Sequence, residues 1–220
     1  MKQKARVVVT RKLPDSVETQ ITKLFDTELN PTDNPFTKKQ LMKAVTGVDV
    51  LVTTVTDRID KEVLKAAGPN FKLIANFGVG VDHIDLKVAH TLGIQVSNTP
   101  DVLTEDTADL AMTLILMASR RLGEGERMVR AGKWNGWTPT QLMGHRVHRR
   151  SLGIIGMGRI GKRVVRHLAG FDCSRILVND IDPRVELPKH PGCTIKNVNK
   201  EMIYREADII SLHVPLTVKT

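Results

Sequence analysis

Short apolar runs alternate with amphipathic stretches over residues 1–100 of the chain. Four runs rich in β-branched residues predict strands: 5–10, 49–55, 72–78 and 94–98. Three segments with helical spacing between them predict helices: 15–25, with Asp15 at its cap position, 61–68 and 85–93. Strand–helix alternation with short connections is typical of a parallel sheet with helices on both faces. Residues 1–100 are therefore predicted to form one open α/β domain.

The alternation stops near residue 100, where we place a domain boundary. Pro100 favours an extended residue before it, and Asp101 or Thr104 can cap a helix that follows. Small and apolar side chains then recur at helical spacing: Ala108, Ala111, Met112, Ile115 and Ala118. They predict one long helix over 103–132, with a buried face that permits close packing.

A second α/β unit begins at Ser151 and contains the strongest motif of the chain. Gly156, Gly158 and Gly161 fit the pattern G-x-G-x-x-G, between an apolar strand and a segment with helical spacing. A further strand ends in Asp180, about 20 residues beyond the last glycine, where dinucleotide-binding domains carry an acid. The combination predicts the phosphate-binding turn of a Rossmann domain. A glycine-rich turn without a ligand is the simpler structural alternative.

Each glycine of this turn has a separate physical task. Gly156 permits the tight turn, Gly158 lets the backbone approach a pyrophosphate, and Gly161 lets helix and strand pack closely. The start of the helix offers N–H groups and the positive end of its dipole to phosphates, and Arg159 adds a charge. The expected ligand is therefore a dinucleotide.

The acid at the end of the second strand predicts which dinucleotide binds. Asp180 can accept hydrogen bonds from both hydroxyls of a ribose, and its charge would repel a 2′-phosphate. NAD is therefore the expected cofactor, favoured over NADP. Arg184 follows closely enough to keep NADP open as the alternative, because an arginine there can pair with a 2′-phosphate.

Composition narrows the remaining function classes. The 220 residues carry a formal net charge of +9, with 41% hydrophobic and 26% charged residues, an ordinary globular balance. The basic residues are scattered apart from a cluster at 144–150, and the single Tyr provides no stacking platform for nucleic acid. No apolar run reaches the ~18 residues of a membrane span, the first residues do not resemble a signal peptide, and Cys173 and Cys193 match no metal spacing. We expect a cytoplasmic protein that binds neither membrane nor nucleic acid.

Four stretches occur in an order and spacing that resemble one enzyme family: 76–86, 96–116, 151–161 and 207–217. Together they are similar to the D-isomer-specific 2-hydroxyacid dehydrogenases, and the segment 29–41 looks most like that of glyoxylate and hydroxypyruvate reductases. The resemblance implies a flavodoxin-like substrate-binding domain over 1–100 and a Rossmann-like NAD-binding domain over 101–220. It also implies an NAD-dependent oxidoreductase of small D-2-hydroxy acids, and a homodimer built by the helix over 103–132.

The resemblance assigns roles to further residues at matching positions. Val79 and Gly80 would offer backbone N–H groups to the substrate carboxylate, although a glycine turn that merely ends the strand suits these residue types equally well. Thr104 matches a position on the nicotinamide side of the cofactor, although a capping role also explains it. The remaining cofactor contacts fall in the glycine turn and at the ends of two strands: Gly156, Met157, Gly158, Arg159, Ile160, Gly161, Asp180, His213, Val214 and Pro215.

The chemistry expected of the family does not occur within the 220 residues. Reduction of a 2-oxo acid needs a cation for the carboxylate and a general acid. The resemblance assigns these tasks to an arginine and to a histidine paired with a glutamate, in stretches that do not occur before Thr220. Of the seven histidines only His83, beside Asp82 and Asp85, is arguable as an acid, and its turn matches the carboxylate loop instead. The last strand would be fourth in a sheet of order 3-2-1-4-5-6, with an outer edge left for later strands. We expect the N-terminal part of a longer enzyme, inactive alone, with its catalytic residues beyond Thr220.

Other interpretations stay open on the sequence alone. A phosphoglycerate or formate dehydrogenase-like enzyme of the same family fits the same motifs. A non-catalytic, NAD-sensing protein similar to the transcriptional corepressors of this fold is a second hypothesis, and it would bind a peptide. A basic nucleic-acid-binding protein is a third, which only the net charge favours.

Overall fold

The structure, a computed structural model, describes residues 4–215. The chain divides into two compact units, Met1–Asp101 and Val102–Thr220, hereafter unit 1 and unit 2. The division lies one residue from the boundary that the sequence predicts. Leu216 and Thr217, at the end of the 207–217 stretch, lie outside the described residues.

Unit 1 is built on a sheet in which each paired strand runs parallel to its neighbour. Its elements in chain order are β1 (Arg6–Val9), α1 (Asp15–Leu24), β2 (Asp26–Glu28), α2 (Lys38–Thr46), β3 (Val50–Thr54), α3 (Lys61–Lys65), β4 (Leu73–Phe77), α4 (Leu86–Thr91) and β5 (Gln95–Ser97). The strand order is β2-β1-β3-β4-β5, the flavodoxin-like order, in which ligands bind beyond the carboxyl ends of the strands. The predicted α/β class is confirmed.

The sequence pattern does not predict two elements of unit 1. β2 consists of three polar residues at the edge of the sheet, so no apolar period marks it. α2 begins after Thr37, whose side chain accepts from the Gln40 N–H while the Gln40 side chain accepts from the Thr37 N–H. This reciprocal capping box is itself a sequence signal for a helix start. The predicted cap at Asp15 is wrong, because Pro14 holds the N-cap position and Asp15 is the first helical residue.

Unit 2 contains a second parallel sheet. Its elements in chain order are α5 (Thr104–Ser119), α6 (Leu122–Arg130), β6 (Ser151–Ile155), α7 (Arg159–Ala169), β7 (Arg175–Asn179), β8 (Thr194–Asn197), α8 (Lys200–Glu206) and β9 (Ile209–Leu212). The strand order is β8-β7-β6-β9. This is the 3-2-1-4 part of the Rossmann order, and the fourth strand lies beside the first as predicted.

The long helix predicted over 103–132 is wrong, because α5 and α6 are separate helices. Between them Arg121 adopts a left-handed conformation with φ of +54°, held by two hydrogen bonds from its guanidinium to the Glu124 carboxylate. The N–H of His145 donates to the Ser119 carbonyl over 2.7 Å and so satisfies the end of α5. The predicted caps of α5 are also wrong, since Leu103 is the N-cap residue and makes no side-chain cap hydrogen bond.

Each unit has its own apolar core. In unit 2, Ala108, Met112 and Ile115 give α5 a buried face, and α7 buries Val164, Val165 and Leu168 in the same cluster. In unit 1 the larger core cluster packs the sheet against the helices α2, α3 and α4, and a smaller cluster around Val7 and Val9 includes Ile21 of α1. Among residues 4–215 there is no helix long and apolar enough to cross a membrane.

Candidate functional site

The turn between β6 and α7 contains three glycines in different surroundings. The first, Gly156, lies between the end of β7 and the residues that follow β9. Gly156 has φ of +99°, a conformation that favours glycine. Its N–H donates to the carbonyl of Asn179 in β7 over 2.8 Å. A Cβ on Gly156 would lie 2.7 Å from the carbonyl carbon of His213, just after β9. A side chain at this position would therefore collide with backbone.

The other two glycines differ in what faces them. A Cβ on Gly161 would overlap the carbonyl oxygen of Gly156, so the first turn of α7 packs directly against the glycine turn. A Cβ on Gly158 would meet nothing within 4 Å. Gly158 is the N-cap residue of α7 and provides no side-chain cap, and the first N–H groups of a helix have no acceptor within the helix. The open space in front of Gly158 is suited to an anion.

Asp180 lies at the carboxyl end of β7 and is tied to the glycine turn. Its carboxylate accepts hydrogen bonds from the N–H of Met157 over 2.6 Å and from the N–H of Asp182 over 3.0 Å. The N–H groups of Asp182 and Met157 hold the pKa of Asp180 below its usual value. The side chain is half-exposed and ionised, and each of its oxygens keeps a lone pair for a ligand hydroxyl.

The residues after β9 line the same turn. The N–H of His213 donates to the Ile155 carbonyl over 2.7 Å, which continues the pairing of β9 with β6. The His213 ring lies 3.0 Å from the Ser211 hydroxyl, and burial lowers its pKa, so the ring is neutral near pH 7. The Val214 side chain lies 2.8 Å from the Cβ position of Gly156. Pro215 is exposed and is the last described residue.

For the other residues predicted to touch a cofactor, the observed contacts give less direct support. Met157 buries its side chain in the core and donates its N–H to Asp180, and the half-buried Ile160 packs partly against the same core. Arg159 is exposed at the first position of α7. Thr104 is the first residue of α5, and within the described part of the chain no hydrogen bond joins it to the glycine turn. Its nicotinamide role stays a prediction.

The turn after β4 in unit 1 consists of residues 78–80, and each of its three carbonyl oxygens accepts a hydrogen bond. The Gly78 carbonyl accepts from the Asn76 side chain over 3.0 Å and from the N–H of Thr99 over 3.1 Å. The Val79 carbonyl accepts from the Asn98 side chain over 2.9 Å. The Gly80 carbonyl accepts from the Asn76 side chain over 2.9 Å. The N–H groups of Val79 and Gly80 have no acceptor among residues 4–215.

Asn76 and His83 are parts of this site to which the sequence interpretation gave no such role. Asn76 is buried at the end of a strand, and its side-chain oxygen lies 3.0 Å from Nε2 of His83. Burial lowers the pKa of His83, although the charges of Asp82 and Asp57 act in the opposite direction. A polar residue inside an otherwise apolar strand was the available signal for Asn76. His83 therefore supports the turn structurally, and the expectation that it is not the proton donor stays a prediction.

Comparison with known proteins places these features in a family. The model of the D-isomer specific 2-hydroxyacid dehydrogenase catalytic domain matches residues 7–213. The glyoxylate reductase of Korarchaeum cryptofilum is 44% identical over 218 residues, which are 99% of this chain and 64% of that protein. The chain therefore spans somewhat less than two thirds of the length of this curated relative.

Two solved structures are similar over nearly the whole chain. The TT0316 protein of Thermus thermophilus is 39% identical with a TM-score of 0.84, covering 98% of this chain and 66% of that one. The D-lactate dehydrogenase of Aquifex aeolicus, solved with NAD and lactic acid, is 25% identical with a TM-score of 0.75. It covers 97% of this chain and 62% of that one. The resemblance stated from the four sequence stretches is confirmed.

Proposed function

Because the chain belongs to the D-isomer specific 2-hydroxyacid dehydrogenases, we propose that it serves the NAD-dependent reduction of small 2-oxo acids, glyoxylate or hydroxypyruvate. Unit 1 binds the substrate carboxylate and unit 2 binds the dinucleotide. The 44% identity to a glyoxylate reductase supports this substrate class. The general acid and the carboxylate-binding cation of the reaction are assigned to residues outside these 220, as the family resemblance implies.

The observation that carries the proposal is the turn at Val79 and Gly80. Its carbonyls are occupied by protein donors, whereas its two N–H groups have no acceptor among the described residues. Two neighbouring backbone N–H groups without acceptors form a concave site for one anionic group. A carboxylate with two oxygens matches such a pair, and a 2-oxo acid presents one.

The fit of a dinucleotide to unit 2 is supported by the glycine turn. Gly158 leaves space before the start of α7 for a pyrophosphate, and the helix dipole favours negative charge there. Asp180 is ionised beside the turn and has lone pairs for the two ribose hydroxyls, which favours NAD over NADP. NAD, when bound, supplies the hydride.

A homodimer and a cytoplasmic location complete the proposal. α5 exposes Leu110, Leu114 and Met117 on the side opposite its buried face, which supports a partner helix there. Cys173 and Cys193 are buried free thiols, in keeping with a reducing compartment. Burial raises the pKa of the Cys173 thiol to about 11, so it is unreactive.

The cofactor proposal is tested by Gly158→Asp, a change that should preserve the stability of the fold and weaken the binding of the cofactor. Aspartate is a preferred N-cap residue, and Gly158 has extended φ and ψ that any residue adopts, so stability should be kept or raised. The added charge faces the phosphates, and NADH binding, followed by fluorescence titration, should fall at least about a hundredfold. Gly158→Asn is the uncharged control and should bind with intermediate affinity. Unchanged NADH affinity in both variants would exclude this turn as the cofactor site.

The substrate class is tested by titrating the NADH-bound protein with glyoxylate, hydroxypyruvate and phosphohydroxypyruvate. Binding is followed through the amide signals of Val79 and Gly80 in 1H–15N NMR spectra. The proposal expects the first two acids to shift both signals. Preferential binding of phosphohydroxypyruvate would favour a phosphoglycerate dehydrogenase-like enzyme instead. No shift with any acid would contradict the carboxylate site.

A further inference from the structure

We infer that Asn76 and Asn98 are positioning residues for the turn at 78–80: Asn76 aims the N–H of Val79, and Asn98 aims the N–H of Gly80. The inference rests on the proposed carboxylate-binding function of that turn. It adds that two side chains which do not touch the ligand set the direction of the two donors. These residues thereby determine how a carboxylate is held.

The geometry follows from the planar trans peptide bond. In each peptide unit the C=O of one residue and the N–H of the next point in opposite directions. The Gly78 carbonyl points to the Asn76 side chain, so the N–H of Val79, in the same peptide unit, points away from Asn76. The Val79 carbonyl points to the Asn98 side chain, so the N–H of Gly80 points away from Asn98. Asn98 thus sets the direction of one donor, and Asn76 sets the direction of the other together with the N–H of Thr99, which donates to the same Gly78 carbonyl.

The amide of Asn76 is held in a single orientation because all its hydrogen-bonding capacity is used. An amide side chain carries two N–H hydrogens and an oxygen with two lone pairs. Both hydrogens go to carbonyls, those of Gly78 and Gly80. The oxygen faces the Thr53 hydroxyl at 3.3 Å and His83 at 3.0 Å. The residue is 2% exposed, so water does not compete for these bonds.

This network also determines the tautomer of His83. The Asn76 nitrogen is committed to two carbonyls, so the atom facing the ring is an acceptor. His83 must therefore donate from Nε2, and its neutral form carries the proton there. Protonation would add a proton at Nδ1 and would leave the Nε2 donor in place. His83 is thus a fixed support of Asn76, and through it of the turn.

The test compares three asparagine variants of the whole chain. Asn76→Asp replaces the two-hydrogen donor by an acceptor of the same shape, and Asn98→Ala releases the Val79 carbonyl. Asn30→Asp is the matched control, because Asn30 is buried in the same unit and also donates to two backbone carbonyls, those of Thr10 and Asn34. The probe is oxamate, a stable mimic of glyoxylate, and binding is read from the amide shifts of Val79 and Gly80.

We expect oxamate affinity to fall about tenfold or more in Asn76→Asp, because two hydrogen bonds that order the turn are lost. In that variant the oxamate-induced shift is lost mainly at Val79, and in Asn98→Ala mainly at Gly80. Asn30→Asp keeps the affinity of the wild type even where its thermal stability falls. All three variants keep NADH affinity, because the cofactor turn lies in unit 2. Wild-type oxamate affinity in both Asn76→Asp and Asn98→Ala would overturn the inference.

Relaxation of the amides in the ligand-free protein separates this inference from the proposed function. The heteronuclear NOE of Gly78, Val79 and Gly80 should match that of β4 in the wild type and fall in Asn76→Asp. If oxamate shifts no wild-type amide, the carboxylate site is wrong, and the NOE still decides whether Asn76 orders the turn. If Asn76→Asp does not fold, His83→Leu, which removes the donor to the Asn76 oxygen, must lower the same NOE values. Unchanged values there would reject the positioning role.

Discussion

The carboxylate of Asp180 accepts a hydrogen bond of 2.6 Å from the backbone N–H of Met157. This bond joins the end of β7 to the middle of the glycine turn after β6. The second oxygen of the same carboxylate accepts from the N–H of Asp182. One ionised side chain therefore holds two loops in place, and it also presents negative charge where a ribose is expected to bind.

Asp180→Asn should change the choice of dinucleotide. The neutral amide offers one acceptor oxygen instead of two and no longer repels a 2′-phosphate. We expect NAD affinity to fall about tenfold, because a charge-assisted hydrogen bond is lost, and NADP affinity to rise. Fluorescence titrations with NADH and NADPH measure both. Asp172→Asn is the control, since Asp172 precedes β7 at the end of the strand opposite Asp180, and it should leave the ratio of the two affinities unchanged. An unaltered ratio in Asp180→Asn would contradict the assigned role.

Gly161→Ala should destabilise unit 2 because its Cβ would overlap the carbonyl oxygen of Gly156. Backbone on both sides of this contact has no space to move without disturbing α7 or the turn, and overpacking of this kind costs about 1–3 kcal/mol. Urea unfolding measures the loss. Gly158→Ser, at the open position three residues earlier, is the control and should unfold within about 0.5 kcal/mol of the wild type, because serine is a good N-cap residue. Equal stability of both variants would show that the close contact is absent.

How far the fold follows from the sequence is visible in particular elements. The four strands predicted in unit 1 lie over 5–10, 49–55, 72–78 and 94–98, and each contains an observed strand. β1, β3 and β4 lie inside the sheet, where buried parallel strands are largely apolar, whereas β5 is a short edge strand with only Val96 apolar. β2 and β8 are edge strands with polar residues. Their pairing depends on the neighbouring strand, which a local apolar pattern does not record. The end of α5 before Arg121 is satisfied by the distant N–H of His145, a partner that helical spacing does not reveal.

The candidate site likewise contains residues that the sequence reveals and residues that only the folded structure brings together. The glycines at 156, 158 and 161 are recognisable because the motif records their spacing, although the atoms that crowd Gly156 belong to the distant His213 and Val214. Asn76 acts through His83 and Thr53, which come from a different turn and a different strand. Such a network exists only once the sheet has formed, so residue type and spacing do not reveal it. His83 illustrates this. Its sequence neighbours Asp82 and Asp85 suggested a histidine–carboxylate pair, whereas its ring lies beside the side-chain amide of Asn76, seven residues away.

The stability of the protein should depend on pH through His83. Burial lowers the folded-state pKa of His83 below the ordinary value of 6.5. Between these two values the unfolded chain binds more protons, so the free energy of unfolding rises with pH there. The contribution of His83 is complete above pH 6.5 and is lost as pH falls toward the folded-state pKa. Urea unfolding from about pH 5 to 8 should show a weaker pH dependence for His83→Gln than for the wild type. His90→Gln, on the exposed side of α4, is the control, and an identical slope for wild type and His83→Gln would contradict the prediction.

Self-association should depend on the apolar side of α5. Leu110 and Leu114 lie on the side of α5 opposite its buried face, and both leucines are more than half exposed. Burying a leucine on association contributes about 1.5–3 kcal/mol, and a glutamate at the same position would oppose burial. Leu114→Glu should therefore weaken the dimer about tenfold or more, as measured by sedimentation velocity over a range of concentrations. Leu92→Glu is the matched control, because Leu92 is similarly exposed but belongs to unit 1. A dimer that is equally stable in both variants would place the interface elsewhere, and a wild type that is monomeric throughout would contradict the homodimer itself.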